Sequence, residues 1–306
     1  MDSNQTSSLV NAWIFLDEDE PKNTNYTDAN SAYQRLIQKD IYQSVDILFI
    51  CFGTTVPTGP TTVPVGDGSS YTITISPSSH PGGLTNQDYL NYILRDARKV
   101  NPNIQILVTL DWSDPTILSN IFSNPHFTSQ ENANNFANNL VQYLRYYSLN
   151  GFDIDWEPPI SESISSDQFA LLINAIGDLF YQTSKVTGQK YYLTLSPSEV
   201  GNLNPNAVNH QIDFLNLQLY GGASPNDFIT AKVNENLLAY GAKFEADLPV
   251  NNPTAMGYQT AKNAYQENNK NYQYSIFTNW RLNSQNYIFE QTQQRKLYQY
   301  VKPSLD

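Results

Sequence analysis

Short, nearly unbroken apolar runs alternate along this chain with longer stretches in which apolar residues recur at helical spacing. The runs fall at Asn11–Leu16, Ile47–Phe52, Ile104–Leu110, Gly151–Trp156, Tyr191–Ser196, Phe214–Tyr220, Lys243–Ala246 and Tyr274–Trp280. Runs so short and so continuous suit parallel strands covered on both faces. Between them, Ser31–Gln38, Asn86–Lys99, Gln130–Tyr147, Asp167–Lys185 and Gln285–Tyr300 read as helices. In the third of these, Phe136, Leu140, Tyr143, Leu144 and Tyr147 form a core-facing stripe. Eight strands alternating with helices predict an α/β protein, a single (β/α)8 TIM barrel over residues 1–306. An open doubly wound sheet satisfies the same pattern. The 306 residues suit one barrel, which needs about 250.

Residues 53–85 break the rhythm. They are rich in Pro, Gly, Ser and Thr and contain the alternating segment Tyr71-Thr-Ile-Thr-Ile-Ser76, so a long loop carrying its own hairpin is expected after the second strand. Loops that follow barrel strands lie at the active face, which places this one beside a groove; a surface hairpin with no role there is the alternative reading. The acidic run Asp17-Glu18-Asp19-Glu20 lacks the Gly and the spacing of a calcium loop and reads as a solvated loop.

Composition narrows the partners. The net charge of −12 argues against nucleic acid, whereas an uncharged polymer is indifferent to it. Charged residues are only 15%, so amides and hydroxyls must cover much of the surface. Aromatics reach 13%, which suits either core packing or sugar-stacking platforms. The lone Cys51 excludes an internal disulfide and lies in an apolar run, where a buried, inert thiol is expected. No run approaches the ~20 apolar residues of a membrane span, and the first residues lack a signal-peptide pattern. His80, His126 and His210 have no ligand-like spacing, so no metal and no cofactor are expected.

Chemistry concentrates in Asn150-Gly-Phe-Asp-Ile-Asp-Trp-Glu157, followed by two prolines. On a strand alternate residues share a face, so Asp153, Asp155 and Glu157 point one way and Phe152, Ile154 and Trp156 the other. In a barrel the first set projects inward. Neighbouring carboxyls on that face lie ~6.6 Å apart along the strand, near enough to raise the pKa of at least one and keep it protonated. Pro158 and Pro159 end the strand and hold Glu157 at its tip. A magnesium or calcium site through D-x-D-x-E is the competing reading.

The segment resembles the signature of glycoside hydrolase family 18, the chitinases and their relatives, which reads D-G-x-D-x-D-W-E on the fourth barrel strand. Gln218-Leu-Tyr220 falls where the family has a polar residue and a Tyr, Trp280 where it has the aromatic floor of the cleavage subsite, and Leu195-Ser-Pro-Ser198 resembles its fifth-strand segment. The chain departs from the pattern twice. Asn150 replaces the first Asp, and Thr109-Leu-Asp-Trp112 replaces S-x-G-G after the third strand, so Trp112 sits where the family has bare backbone.

The resemblance implies roles. Glu157 would protonate the glycosidic oxygen and later activate water, while the substrate's own acetamide attacks the anomeric carbon. Asp155 would hold the acetamide nitrogen and share a proton with Asp153. Tyr220 would donate to the acetamide oxygen and Trp280 would pack under the sugar. Gln218, Trp112 and Asn150 complete the expected substrate-binding set. The activity implied is an endo-acting chitinase on N-acetylglucosamine polymers. An endo-β-N-acetylglucosaminidase acting on N-glycans and a non-catalytic chitin-binding lectin are the alternatives; Trp156 favours the first over the second, and Glu157 favours an enzyme over a lectin. The interval from Tyr220 to Trp280 leaves no room for the α+β insertion domain of some chitinases, which implies an open cleft and internal cuts. The substrate implies an extracellular setting, with delivery by a protein partner as one route to it.

Overall fold

The computed structural model describes residues 8–244 and 274–303. Eight parallel strands form its centre: β1 (Leu9–Phe15), β2 (Ile47–Pro57), β4 (Gln105–Leu110), β5 (Gly151–Trp156), β6 (Tyr192–Pro197), β7 (Phe214–Gln218), β8 (Leu238–Ala242) and β9 (Ile276–Asn279). β1 pairs with β2 on one side and with β9 on the other, so the sheet closes into a barrel rather than ending in two edges. Among the described residues the helices are α1 (Ala32–Gln38), α2 (Asn86–Val100), α3 (Thr116–Ile121), α4 (Ser129–Tyr146), α5 (Ser166–Thr187), α6 (Pro205–Gln211), α7 (Pro225–Thr230) and α8 (Tyr287–Val301).

Local sequence sets where the long helices start. Thr85 with Asp88, Thr128 with Glu131 and Ser165 with Gln168 each form a reciprocal capping box, which satisfies N–H groups the first turn leaves open. α5 stops at Gly188, whose φ of 71° is a left-handed conformation open to glycine at little cost. The apolar stripe of α4 buries Phe136, Leu140, Tyr143 and Leu144. Phe136 meets Phe152 of β5, and Phe169 of α5 meets Trp156 with ring centroids 4.7 Å apart. The even-numbered residues of β5 therefore face the helices, and its odd-numbered ones face the barrel interior.

Three expectations need correction. The seventh barrel strand is β8, Leu238–Ala242, and not Lys243–Ala246; Lys243 and Phe244 lie outside any strand, and 245–246 fall outside the described residues. At Gly241 in this strand a Cβ would come within 2.1 Å of the Leu217 carbonyl oxygen, so the close approach of β7 requires a residue without one.

The hairpin after the second strand is built differently from a separate loop. β2 itself runs on to Pro57, and β3 (Tyr71–Ile75) pairs with it antiparallel. The hairpin is tied to the helices. Thr55 donates to the Ile117 carbonyl of α3, and Asn139 of α4 donates to Ser70 and the Tyr71 carbonyl.

The acidic run lies at the surface, but it is tethered there rather than free. Asn86 donates to Asp17, Tyr89 and His80 bind Asp19, and Arg281 pairs with Glu18. These contacts join the exit of β1 to α2 and to the segment after β9.

Candidate active site

β5 brings its acids into a barrel whose interior is partly apolar and partly polar. Asp153 stands in register with Thr109 of β4 and Thr194 of β6, and Asp155 with Ser196. Asp153 is fully buried, which would be costly for a carboxylate without donors. It accepts from Thr194 Oγ1 at 2.6 Å, from Ser196 Oγ at 2.9 Å and from the Thr109 hydroxyl. Burial pushes its pKa up to about 6, and these three hydroxyl bonds hold it from rising further.

The hydroxyls are themselves oriented by a chain that runs round the barrel. Asn216 Nδ2 donates to Ser196 Oγ at 3.3 Å, Thr278 Oγ1 to Asn216 Oδ1 at 2.6 Å, and Asn11 Nδ2 to Thr278 Oγ1 at 3.3 Å. On the other side Trp13 Nε1 donates to Thr109 Oγ1 at 3.1 Å. Eight buried groups from six strands, Asp153 among them, thus share one network. Partly satisfied networks are costly and fully satisfied ones rigid, so this one fixes the acid it surrounds.

Asp155 points toward the strand tip. It is hydrogen-bonded to Glu157, and its pKa is raised well above the carboxylate range, first by burial and then by the Glu157 charge. The sequence expectation of a proton shared between Asp153 and Asp155 is corrected accordingly. Hydroxyls occupy Asp153, and the carboxyl pair in contact is Asp155 with Glu157. Gln218 Nε2 clamps that pair, donating to Asp155 Oδ1 at 2.8 Å and Glu157 Oε1 at 2.7 Å, with the Ser196 carbonyl at 3.0 Å. Gln218 is therefore a clamp on the acids. Glu157 itself is half-buried at the barrel mouth.

Tyr220 follows β7 in a short 3-10 turn. Its phenol is held well above its ordinary pKa by burial and by the nearby Asp155 and Glu157 charges, so it stays a donor. Trp280 extends β9, its N–H bound to the Ala242 carbonyl at 2.8 Å. Its ring lies 5.9 Å from Trp13, 6.1 Å from Phe15 and 6.0 Å from Phe52, which makes one aromatic cluster. Arg281, paired with Glu18, covers the Trp280 and Phe15 rings at 5.3 and 5.9 Å.

Two expected groove residues lie elsewhere or stand apart. Asn150 precedes β5 at the opposite end from Glu157, roughly 20 Å away at the strand rise. Its side chain accepts from the Ile106 N–H at 3.0 Å, so it stitches β4 to β5 and does not face substrate. Trp112 follows β4 at the mouth, 37% exposed and open to a ligand. Its neighbour Asp111 adds a charge that further raises Asp155. Sequence reasoning missed Thr109, Thr194, Ser196 and Asn216 as partners of the acids. The signal was there in β6, where Thr194 and Ser196 interrupt apolar neighbours at the same alternation as Asp153 and Asp155.

This donor set does not suit a cation. N–H and O–H groups occupy the oxygens that a metal would take, and among the described residues no group of three acidic, His or Cys side chains is arranged to hold one. Among those residues no helix is long and apolar enough to cross a membrane.

Comparison with known proteins places this arrangement. A sequence model of the glycosyl hydrolases family 18 matches residues 22–302. Chitinase A1 of Niallia circulans is 27% identical over 140 residues, which cover 42% of this chain and 19% of that protein. The chain thus spans about a fifth of that curated relative. Among solved structures, a class V chitinase variant from Nicotiana tobaccum in complex with NAG4 covers 98% of this chain and 100% of its own, with a TM-score of 0.67 at 15% identity. A chitinase-like agglutinin from Robinia pseudoacacia has a TM-score of 0.66 at 13% identity, covering 95% of this chain and all of its own.

Proposed function

The chain belongs to the glycosyl hydrolases of family 18, and from that premise we propose that it is an endo-acting chitinase. It hydrolyses β-1,4-linked N-acetylglucosamine with retention, using the substrate's own acetamide as nucleophile. The observation that carries this reading is the contact between Asp155 and Glu157 under one clamping amide. Two carboxyls that flank a sugar as acid and nucleophile stand ~5–5.5 Å apart. Asp155 and Glu157 touch, and both bind the same Gln218 nitrogen, so they act from one side. One is left to donate the proton, and the other to stabilise the cation that the acetamide forms.

Glu157 at the mouth protonates the leaving oxygen and then activates water. Asp155, kept from ionising alone, accepts the acetamide N–H as positive charge develops. Tyr220 donates to the acetamide oxygen, Trp280 carries the apolar face of the ring, and Trp112 offers a second platform at the rim. Internal cleavage follows from the sequence interval between Tyr220 and Trp280, which is too short for an inserted domain to roof the groove.

Between chitin and an N-glycan, Trp156 gives no guidance. Its ring is buried against Phe169, its Nε1 binds the Val200 carbonyl, and it never meets the groove. Support for chitin comes from a relative described as a chitinase and a structural neighbour holding NAG4. A lectin on this fold is disfavoured by the complete set of Glu157, Asp155 and Gln218.

Incubation with chitin oligomers of four or more units, alongside a high-mannose glycopeptide, tests the proposal. Release of smaller oligomers from chitin alone is expected, and Glu157→Gln should lose about 10²–10⁴-fold of that activity while still binding. Cleavage of the glycopeptide with the oligomers left intact would overturn the substrate assignment.

A further inference from the structure

Outside the barrel, between α2 and α4, lies an open groove of about 660 Å³, within the range of small-ligand sites. Its walls are Tyr146 and Tyr147 from the end of α4, and Gln87, Asn91, Arg95 and Arg98 from one face of α2. Tyr146 is 68% exposed, an uncommon position for so large a ring, yet it is not loose. Tyr147 stands 4.9 Å from it, edge to face, and Tyr147 in turn leans on the buried Tyr143 at 4.8 Å. The result is a flat apolar surface on a rigid helix, offered to solvent.

The polar lining has a definite character. Both guanidinium groups are already committed, Arg95 to Asp96 through two bonds of 2.7 and 2.8 Å and Arg98 to the Ser148 carbonyl. Asp96 offsets the charge of Arg95, and the net charge of −12 on the chain opposes an anion. The groups left to serve a ligand are amides and a phenol. Gln87 Nε2 meets Asn91 Oδ1 only at 3.4 Å, and neither Asn91 Nδ2 nor the Tyr146 hydroxyl has a hydrogen-bond partner among the described residues. An exposed ring beside neutral donors and acceptors, in a groove open at the surface, fits a chain of uncharged hydroxylated rings.

We infer that this groove is a second carbohydrate-binding site, taking β-linked N-acetylglucosamine chains with Tyr146 as the stacking platform and Gln87 and Asn91 as the hydrogen-bonding edge. The site rests on the substrate class proposed above, and it lies on the helical ring rather than in the catalytic mouth. Its consequence is retention of polymer on the enzyme's flank while the mouth cuts, so it matters for insoluble chitin and not for short soluble oligomers.

Titration calorimetry of chitotetraose into the Glu157→Gln protein separates the possibilities. Two sites are expected, and adding Tyr146→Ala should remove one. In the active enzyme, Tyr146→Ala should leave kcat/KM on chitotetraose unchanged and lower hydrolysis of chitin particles about 2- to 10-fold, the worth of one stacked ring. A single site that Tyr146→Ala leaves untouched overturns this inference while the catalytic reading stands. If no oligomer binds and none is cleaved, the catalytic reading fails and takes this site with it. Should Tyr146→Ala instead abolish self-association seen in sedimentation, the groove belongs to a second copy of the chain and the sugar site is wrong.

Discussion

Gln218 shows how much one side chain decides at this site. Its amide is the donor that the Asp155–Glu157 pair shares, in a place where burial disfavours the charged form of Asp155. Hydrogen bonds to a carboxylate favour ionisation, and each bond to a charged group is worth about 1.5–3 kcal/mol. Replacing Gln218 with Met keeps the volume and removes the donors. The sign is then fixed: the pair holds its proton to higher pH. The acidic limb of the kcat/KM profile should move upward by about one pH unit, with Tm little changed because the methionine fills the same space. A limb that stays in place or moves down would show that Gln218 is a substrate contact only.

At the level of elements, alternation along β5 was legible from sequence, and so was its meaning. Phe152, Ile154 and Trp156 meet the helices, while Asp153 and Asp155 face inward. What sequence did not show was the partnering across strands. Which hydroxyl faces Asp153 depends on the register of β4 and β6, and register is a property of the closed sheet. The same limit explains β8. Leu238-Ala-Tyr-Gly-Ala is weakly apolar on its own, and the need for Gly241 appears only when β7 lies beside it. Asn150 was misread for a related reason, since its place in a signature conceals that it sits at the far end of the strand.

Gly151, in the same signature, has a structural duty that can be measured. A Cβ there would meet the Tyr192 carbonyl oxygen at 2.2 Å and its nitrogen at 2.8 Å, so β5 and β6 approach too closely for any side chain. Backbone atoms must move to accommodate Ala, a change of about 1–3 kcal/mol for forced overpacking. Gly151→Ala should lower the denaturation midpoint accordingly. Unchanged stability would mean that β5 and β6 have slack, which the fixed position of Asp153 does not allow.

Taken whole, the molecule is a closed barrel whose interior is divided by function. Trp13, Phe49, Cys51, Leu107 and Phe214 form a small apolar cluster inside it, and the polar network around Asp153 fills the rest. The fold was readable because eight apolar runs with helices between them admit few closures. The family was readable from five of the six specified letters of one signature, on and beside β5. The tethered acidic run, the ties between hairpin and helices and the flank groove were not, because each depends on side chains distant in sequence meeting on a finished surface.

The central claim is that the bond is broken by the substrate's own acetamide, with Glu157 as the acid. Proton NMR during the first minutes of chitotetraose hydrolysis tests it most directly, because two displacements at one carbon retain configuration and a single attack by water inverts it. The account predicts that the new reducing ends appear first as the β-anomer, and that the fully deacetylated tetramer is not cleaved. Initial release of the α-anomer, or hydrolysis of the deacetylated chain at a comparable rate, would contradict it.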